Sequence, residues 1–132
     1  MVNTTKELSG YRLSKAEQDL LAAKLLFDNN HYAQSLNRSY YAIFHAVRSL
    51  LAFDKFDSKK HSGIISYFIN NYVKSGMIDE KYSQMLTKAQ RLRLDSDYDD
   101  LYVADKETAK KQLDDAKEFI SVIESFIKQN KS

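Results

Sequence analysis

The sequence predicts an all-α fold. A single domain over residues 1–132, with its core at about 13–128, reads as an up-and-down antiparallel bundle of about five helices. Apolar residues recur at helical spacing over long stretches. Proline is absent and glycine occurs only at positions 10, 63 and 76, too little punctuation for a sheet with tight turns. The connections between the periodic stretches are short and polar, which favours antiparallel neighbours.

The first helix is expected to start at Ser14, where Ser14-Lys-Ala-Glu17 has the form of a capping box. Ala16, Leu20, Ala23 and Phe27 make its inner stripe, widened by Leu21 and Leu25. Asp28-Asn29-Asn30 is a turn. The second helix runs from about Tyr32 to Phe53, with Leu36, Tyr40, Ile43, Val47 and Leu50 as an apolar seam flanked by Phe44 and Leu51. Its opposite face carries Arg38, Tyr41, Ala42, His45, Arg48 and Ser49, so the helix reads as two-sided. The third helix spans about His61 to Val73 and buries Ile64, Ile65, Phe68 and Tyr72. Gly76 is free to take the left-handed conformation that stops it. Asp79 caps a fourth helix carrying Tyr82, Met85, Leu86 and Ala89, which fades near Leu94 into an acidic connection over residues 95–100. The last helix, from about Asp105 to Gln129, turns Leu113, Ala116, Ile120, Ile123 and Ile127 inward.

Composition narrows the function classes. Hydrophobic residues at 43% and charged residues at 29% fit a folded soluble domain rather than a disordered one. With no cysteine there are no disulfides and no thiolate metal sites. No apolar run approaches the roughly 20 residues that cross a bilayer. The first residues show no signal-peptide core, so a cytoplasmic location is expected, with no membrane partner. The net charge of +2, from 20 basic and 18 acidic residues, is too small to argue for nucleic acid on bulk electrostatics, although local clusters can bind phosphate.

One stretch carries chemistry. Arg38-Ser-Tyr-Tyr-Ala-Ile-Phe-His45 places a guanidinium and an imidazole seven residues apart, which is about 20° around a helix. Such a pair binds phosphate and, in principle, performs acid–base chemistry on it without metal: histidine takes a proton from a 2′-hydroxyl while arginine stabilises the phosphoryl charge. The same face also suits plain packing or a dimer seam. Seven residues separate the two Cα atoms by roughly 10.5 Å along the axis, and the side chains lean so that one helix alone grips a single phosphate poorly. A two-fold dimer would bring Arg38 of one chain to His45 of the other. Lys60 and His61, at the start of the third helix, form a secondary anion-site candidate. Asp95, Asp97, Asp99 and Asp100 resemble a calcium loop but lack its glycine and final glutamate, so no metal and no cofactor are expected.

Taken together, RSYYAIFH at 38–45, KHSG at 60–63 and the arginine-rich helix end closing on Asp97-Tyr98 resemble the HEPN domain of prokaryotes, in the expected order and over most of the chain. The resemblance implies a helical bundle that dimerises, encoded beside a minimal nucleotidyltransferase in toxin–antitoxin-like pairs. Several branches of that family are metal-independent endoribonucleases with an R-x(4–6)-H motif, and a late R-x4-H-x-Y motif can carry the active residues. Arg38 and His45 satisfy the first form. At the later place Arg91 and Tyr98 match, but Ser96 stands where histidine is wanted, and serine is no acid–base group near neutral pH without an activating partner. The leading expectation is therefore a homodimer that binds a nucleotide, RNA or the nucleotidyltransferase through Arg38, Tyr41, His45, Arg91, Arg93, Asp97 and Tyr98, with catalysis lost. The alternatives are an endoribonuclease with catalytic Arg38 and His45 in a dimeric composite site, and a dimerisation module alone.

Overall fold

The computed structural model describes residues 4–131. Its centre is α2 (Tyr32–Leu51), in which twelve of twenty residues are buried. The predicted seam of Leu36, Tyr40, Ile43, Val47 and Leu50 is inside, as expected. The two-sided reading needs correction, because Ala42 and Ser49, expected on the polar face, are fully buried. Their small side chains, with Ser35, Ser39 and Ala46, let a neighbouring helix approach closely. That neighbour is α1 (Thr4–Asp28), which presents Ala16 and Ala23 to them. The Ser35 hydroxyl donates to the Ala23 carbonyl at 2.8 Å, so the close approach leaves that hydroxyl satisfied.

α1 begins at Thr4 rather than Ser14. Ser9 and Arg12 continue its buried stripe toward the N-terminus, and Ser14 lies mid-helix, accepting from the Gln18 amide at 3.3 Å. Leu21 and Leu25, expected to widen the inner stripe, point outward at 61% and 55% exposure, because the alanine stripe takes the contact with α2. Asn30, with φ of 68°, reverses the chain into α2, and the helices run antiparallel: Arg12 reaches the Arg48 carbonyl while Ala23 meets Ser35.

After α2 a 3-10 turn at Ala52–Asp54 leads into a loop and then α3 (His61–Phe68), which continues as a π-type turn over Ile69–Val73. The Tyr72 phenol donates to Asp54 at 2.7 Å, tying the end of this segment to the end of α2. Gly76 takes φ of 86° and ends the segment as anticipated. Asp79 caps α4 (Glu80–Tyr98), accepting from the Lys81 amide. This helix does not fade near Leu94 but runs through Tyr98, so the first part of the acidic stretch is helical. Asp105 caps α5 (Lys106–Asn130) by accepting from the Thr108 amide. α2 packs against α1, α4 and α5, and Phe68, Phe119, Leu86 and Ile123 close the core around it. Among the described residues there is no strand, and no helix is long and apolar enough to cross a membrane.

Gly63 has a specific reason. A Cβ built there would press into the Ser58 side chain, whose Oγ accepts from the Lys60 amide and sets the turn into α3. Gly63→Ala is expected to cost about 1–3 kcal/mol through overpacking, read as a lower urea midpoint with unchanged slope.

Candidate anion-binding site

α1 brings to α2 a residue the spacing of α2 could not reveal. Asp19 lies on the buried stripe of α1 and offers its carboxylate to both members of the Arg38/His45 pair. Arg38 Nη1 donates to Asp19 Oδ1 at 3.0 Å, and His45 Nε2 lies 3.8 Å from Asp19 Oδ2. The two residues expected to meet only across a dimer therefore converge on one carboxylate within one chain.

The electrostatics are lopsided. Burial pushes His45 down to about 4, and the neighbouring cations Arg48, Lys15, Arg38 and Arg12 push in the same direction. At neutral pH the imidazole is uncharged, so its contact with Asp19 is not an ion pair. Burial also raises the Asp19 carboxyl, with Arg38 opposing. Among the described residues, His45 Nδ1 is buried without a hydrogen-bond partner. Arg12 and Arg48 share Asp57, at 3.3 and 3.2 Å. Four cations thus surround one neutral histidine, with Asp19 and Asp57 as the acids in contact.

From Arg38 a polar chain crosses to α4. Arg38 Nε and Nη2 donate to the Asn37 side-chain oxygen Oδ1 at 2.9 and 2.8 Å, and Asn37 Nδ2 donates to Asp97 Oδ2 at 3.0 Å. Arg93 Nε lies 3.4 Å from the same Asp97 oxygen, and its Nη2 donates to the Tyr41 phenol at 3.2 Å. The guanidinium carbons of Arg38 and Arg93 sit 4.8 and 5.3 Å from the centre of the Tyr41 ring. Tyr41 therefore seats two cations rather than standing open to a base. A cleft of about 450 Å³ opens beside Arg38, lined by Asn37, Asp97, Ser96, Gln34, Ala33 and Leu26.

Other predicted residues are distributed unevenly. Arg91 is exposed and Tyr98 is 73% exposed; neither joins the network. Lys60 is exposed, but His61 turns away from it and packs on α2. Ser96 Oγ lies near the Ala33 carbonyl, at the cleft wall. Arg12, Asp19, Asn37 and Arg48 were missed as site residues. Arg12 and Asp19 could have been found: with Ala16 and Ala23 they occupy one helical stripe, and charge on an otherwise buried stripe signals a partner. Among the described residues no group of three or more histidines and carboxylates is arranged to hold a metal ion.

The HEPN domain pattern matches residues 9–126. A Methanocaldococcus jannaschii protein named "Putative toxin MJ0605" is 43% identical over 83 residues, which are 63% of this chain and 62% of that protein. A UPF0332 protein of Archaeoglobus fulgidus is 32% identical over 120 residues, 91% of this chain and 95% of its own. A UPF0332 protein of Thermotoga maritima is 29% identical over 130 residues, 98% of both chains. The aligned region spans only 62% of the first of these relatives and 52% of a UPF0332 protein of Pyrococcus horikoshii. The matched pattern takes in the stripe that carries Asp19, the Arg38–His45 segment and the Arg93–Asp97 end of α4 alike, and the chain belongs to the HEPN domain family.

Proposed function

We propose that this HEPN protein binds the phosphate groups of RNA, or of a nucleotide, in a toxin–antitoxin-like setting in the cytoplasm, as a homodimer with a minimal nucleotidyltransferase partner. The observation that carries the binding reading is the cation excess around His45 beside an open cleft: Arg12, Lys15, Arg38 and Arg48 stand there, and Arg38 borders both the cluster and the cleft. A partly buried cation cluster with too few acids is a standing electrostatic demand for an anion. The polar groups at the cleft, Asn37 and Ser96, suit phosphate or sugar oxygens. The relatives named as toxins support the setting. Leu94, Tyr98, Leu101 and Val103 are exposed apolar residues at and just beyond the end of α4, next to the cleft, and support a protein partner on that side.

A second reading, metal-independent RNA cleavage, is favoured by a specific observation: a neutral histidine held beside a carboxylate and an arginine is the equipment of a proton acceptor next to a phosphate clamp. The deep depression of His45 weighs against it, since a base near 4 takes a proton weakly at neutral pH. The test is titration of the purified protein with single-stranded RNA in chelator. Arg38→Gln is expected to weaken binding about tenfold by removing one charged contact. Equal affinity of Arg38→Gln and wild type would remove the binding reading, and cleavage abolished by His45→Ala would promote the second.

A further inference from the structure

We propose that His61 and Arg93 form a second RNA-phosphate contact beside the one at Arg38, the two contacts sharing the Tyr41 ring as their common support. The proposal rests on the RNA-binding reading above and adds a pair of residues from α3 and α4 to it.

Tyr40 is fully buried, and its phenol lies 2.8 Å from His61 Nδ1, its hydrogen-bond partner among the described residues. A buried phenol hydrogen with nowhere else to go must be donated there, so Nδ1 accepts and the imidazole carries its hydrogen on Nε2. Burial holds the phenol protonated, which keeps this assignment in place across ordinary pH. The ring is clamped by Phe44, stacked at 4.2 Å, and by the edge of Tyr41 at 5.7 Å. His61 is thus a half-buried donor of fixed tautomer and fixed orientation, which solvent-facing histidines are not. Burial, then Arg93 and Arg48, lower its pKa, so near neutral pH it contributes a hydrogen bond rather than a charge.

Arg93 supplies the charge. Its side chain is only 13% exposed, and of its five N–H donors one meets Tyr41. Its Nε is buried with no hydrogen bond among the described residues, the Asp97 oxygen at 3.4 Å being poorly aligned with it. Nη1 has no hydrogen-bond partner among the described residues and is not one of the enclosed atoms, so a phosphodiester oxygen would give this largely covered guanidinium its missing partner there. Arg93 and His61 both contact Tyr41, whose ring also seats Arg38, so the three donors address one stretch of strand.

The test is binding of a short labelled single-stranded RNA in chelator at several salt concentrations, with Arg38→Gln as the reference. Arg93→Gln is expected to weaken binding about tenfold and to lower the salt slope by about 0.7, the share of one neutralised phosphate on a single strand. His61→Phe, which keeps the stack on Phe44, is expected to weaken binding several-fold with the slope unchanged, and His61→Gln to retain most of the affinity. Should His61→Phe not fold, Tyr40→Phe, which releases the imidazole, is expected to weaken binding likewise. The His61 ring resonances of the wild type are expected to move on adding RNA. Wild-type affinity in Arg93→Gln and in the histidine variants, beside a loss in Arg38→Gln, overturns this inference and leaves the proposed function standing. So does a His61 resonance unmoved by saturating RNA. A wild type that binds no RNA overturns both.

Discussion

Between pH 6.5 and about 4 the protein is expected to lose about 3 kcal/mol of stability through His45, and His45→Gln is expected to flatten that decline. In the unfolded chain the imidazole titrates at its ordinary value of 6.5, whereas in the fold it stays neutral down to about 4. Below 6.5 the unfolded state therefore binds a proton that the native state refuses, and stability falls with pH until the native imidazole also protonates. Above 6.5 both states are neutral and His45 contributes nothing. His61, also depressed, adds to the decline in the same direction. Asp19, raised by burial, opposes it at the acid end, because there the native carboxyl takes up a proton before the unfolded one does. Urea unfolding of wild type and His45→Gln at about pH 7 and about pH 4.5, at constant ionic strength, reads the difference. Two variants losing stability in parallel would show that His45 is solvated rather than held neutral.

The residues behind that behaviour divide into those the sequence discloses and those that only packing reveals. The seam of α2 is legible because five apolar residues repeat at helical spacing, and Asp79 is legible as a cap because a short carboxylate before a periodic run has few other uses. Gly76 is legible because its conformation is costly for any other residue. Ser14 misleads: a serine three residues before a glutamate occurs inside helices as well as at their starts, and Ser9 and Arg12 show that the buried face continues past it. The end of α4 misleads in the opposite direction. Carboxylates near a helix C-terminus oppose its dipole, yet the Arg93–Asp97 pair one turn apart and the Asn37 amide from α2 hold the last turn in place.

The site itself was half legible. Arg38 and His45 announce themselves by spacing, but their meeting point is supplied by Asp19, a residue whose relevance depends on which face of α1 packs on α2. Reading one helix in isolation, the axial offset between the pair seemed to require a second chain. A carboxylate from a neighbouring helix, placed between them, removes that requirement because it needs only one side chain to reach each of its two oxygens. For His61, sequence position suggested a helix-start anion site shared with Lys60. The buried Tyr40 phenol instead directs the imidazole toward α2 and α4, an orientation fixed by tertiary contact alone.

Asp19→Asn separates the two functional readings more sharply than any change to Arg38 or His45. The carboxylate now neutralises Arg38 from within and occupies the electrostatic place a phosphate would take. With asparagine there, shape is kept, the repulsion of an incoming phosphate is gone and Arg38 is freed, so RNA affinity is expected to rise about tenfold. The free protein is expected to lose about 1–2 kcal/mol, since the cations around His45 lose a counterion; the figure is small for a half-buried pair because the Arg38 side chain remains 36% exposed. If the site cleaves RNA, the same substitution leaves His45 without its acid neighbour, and cleavage is lost while binding is kept or tightened. Affinity, thermal stability and RNA integrity measured on one preparation distinguish these results. Tighter binding with intact RNA in both proteins supports a binding site in which Asp19 stands in for phosphate. Cleavage by the wild type that Asp19→Asn abolishes supports the enzyme. Weaker binding by a folded Asp19→Asn would refute the stand-in role, because a carboxylate whose removal harms phosphate binding must be positioning Arg38 for the ligand rather than competing with it.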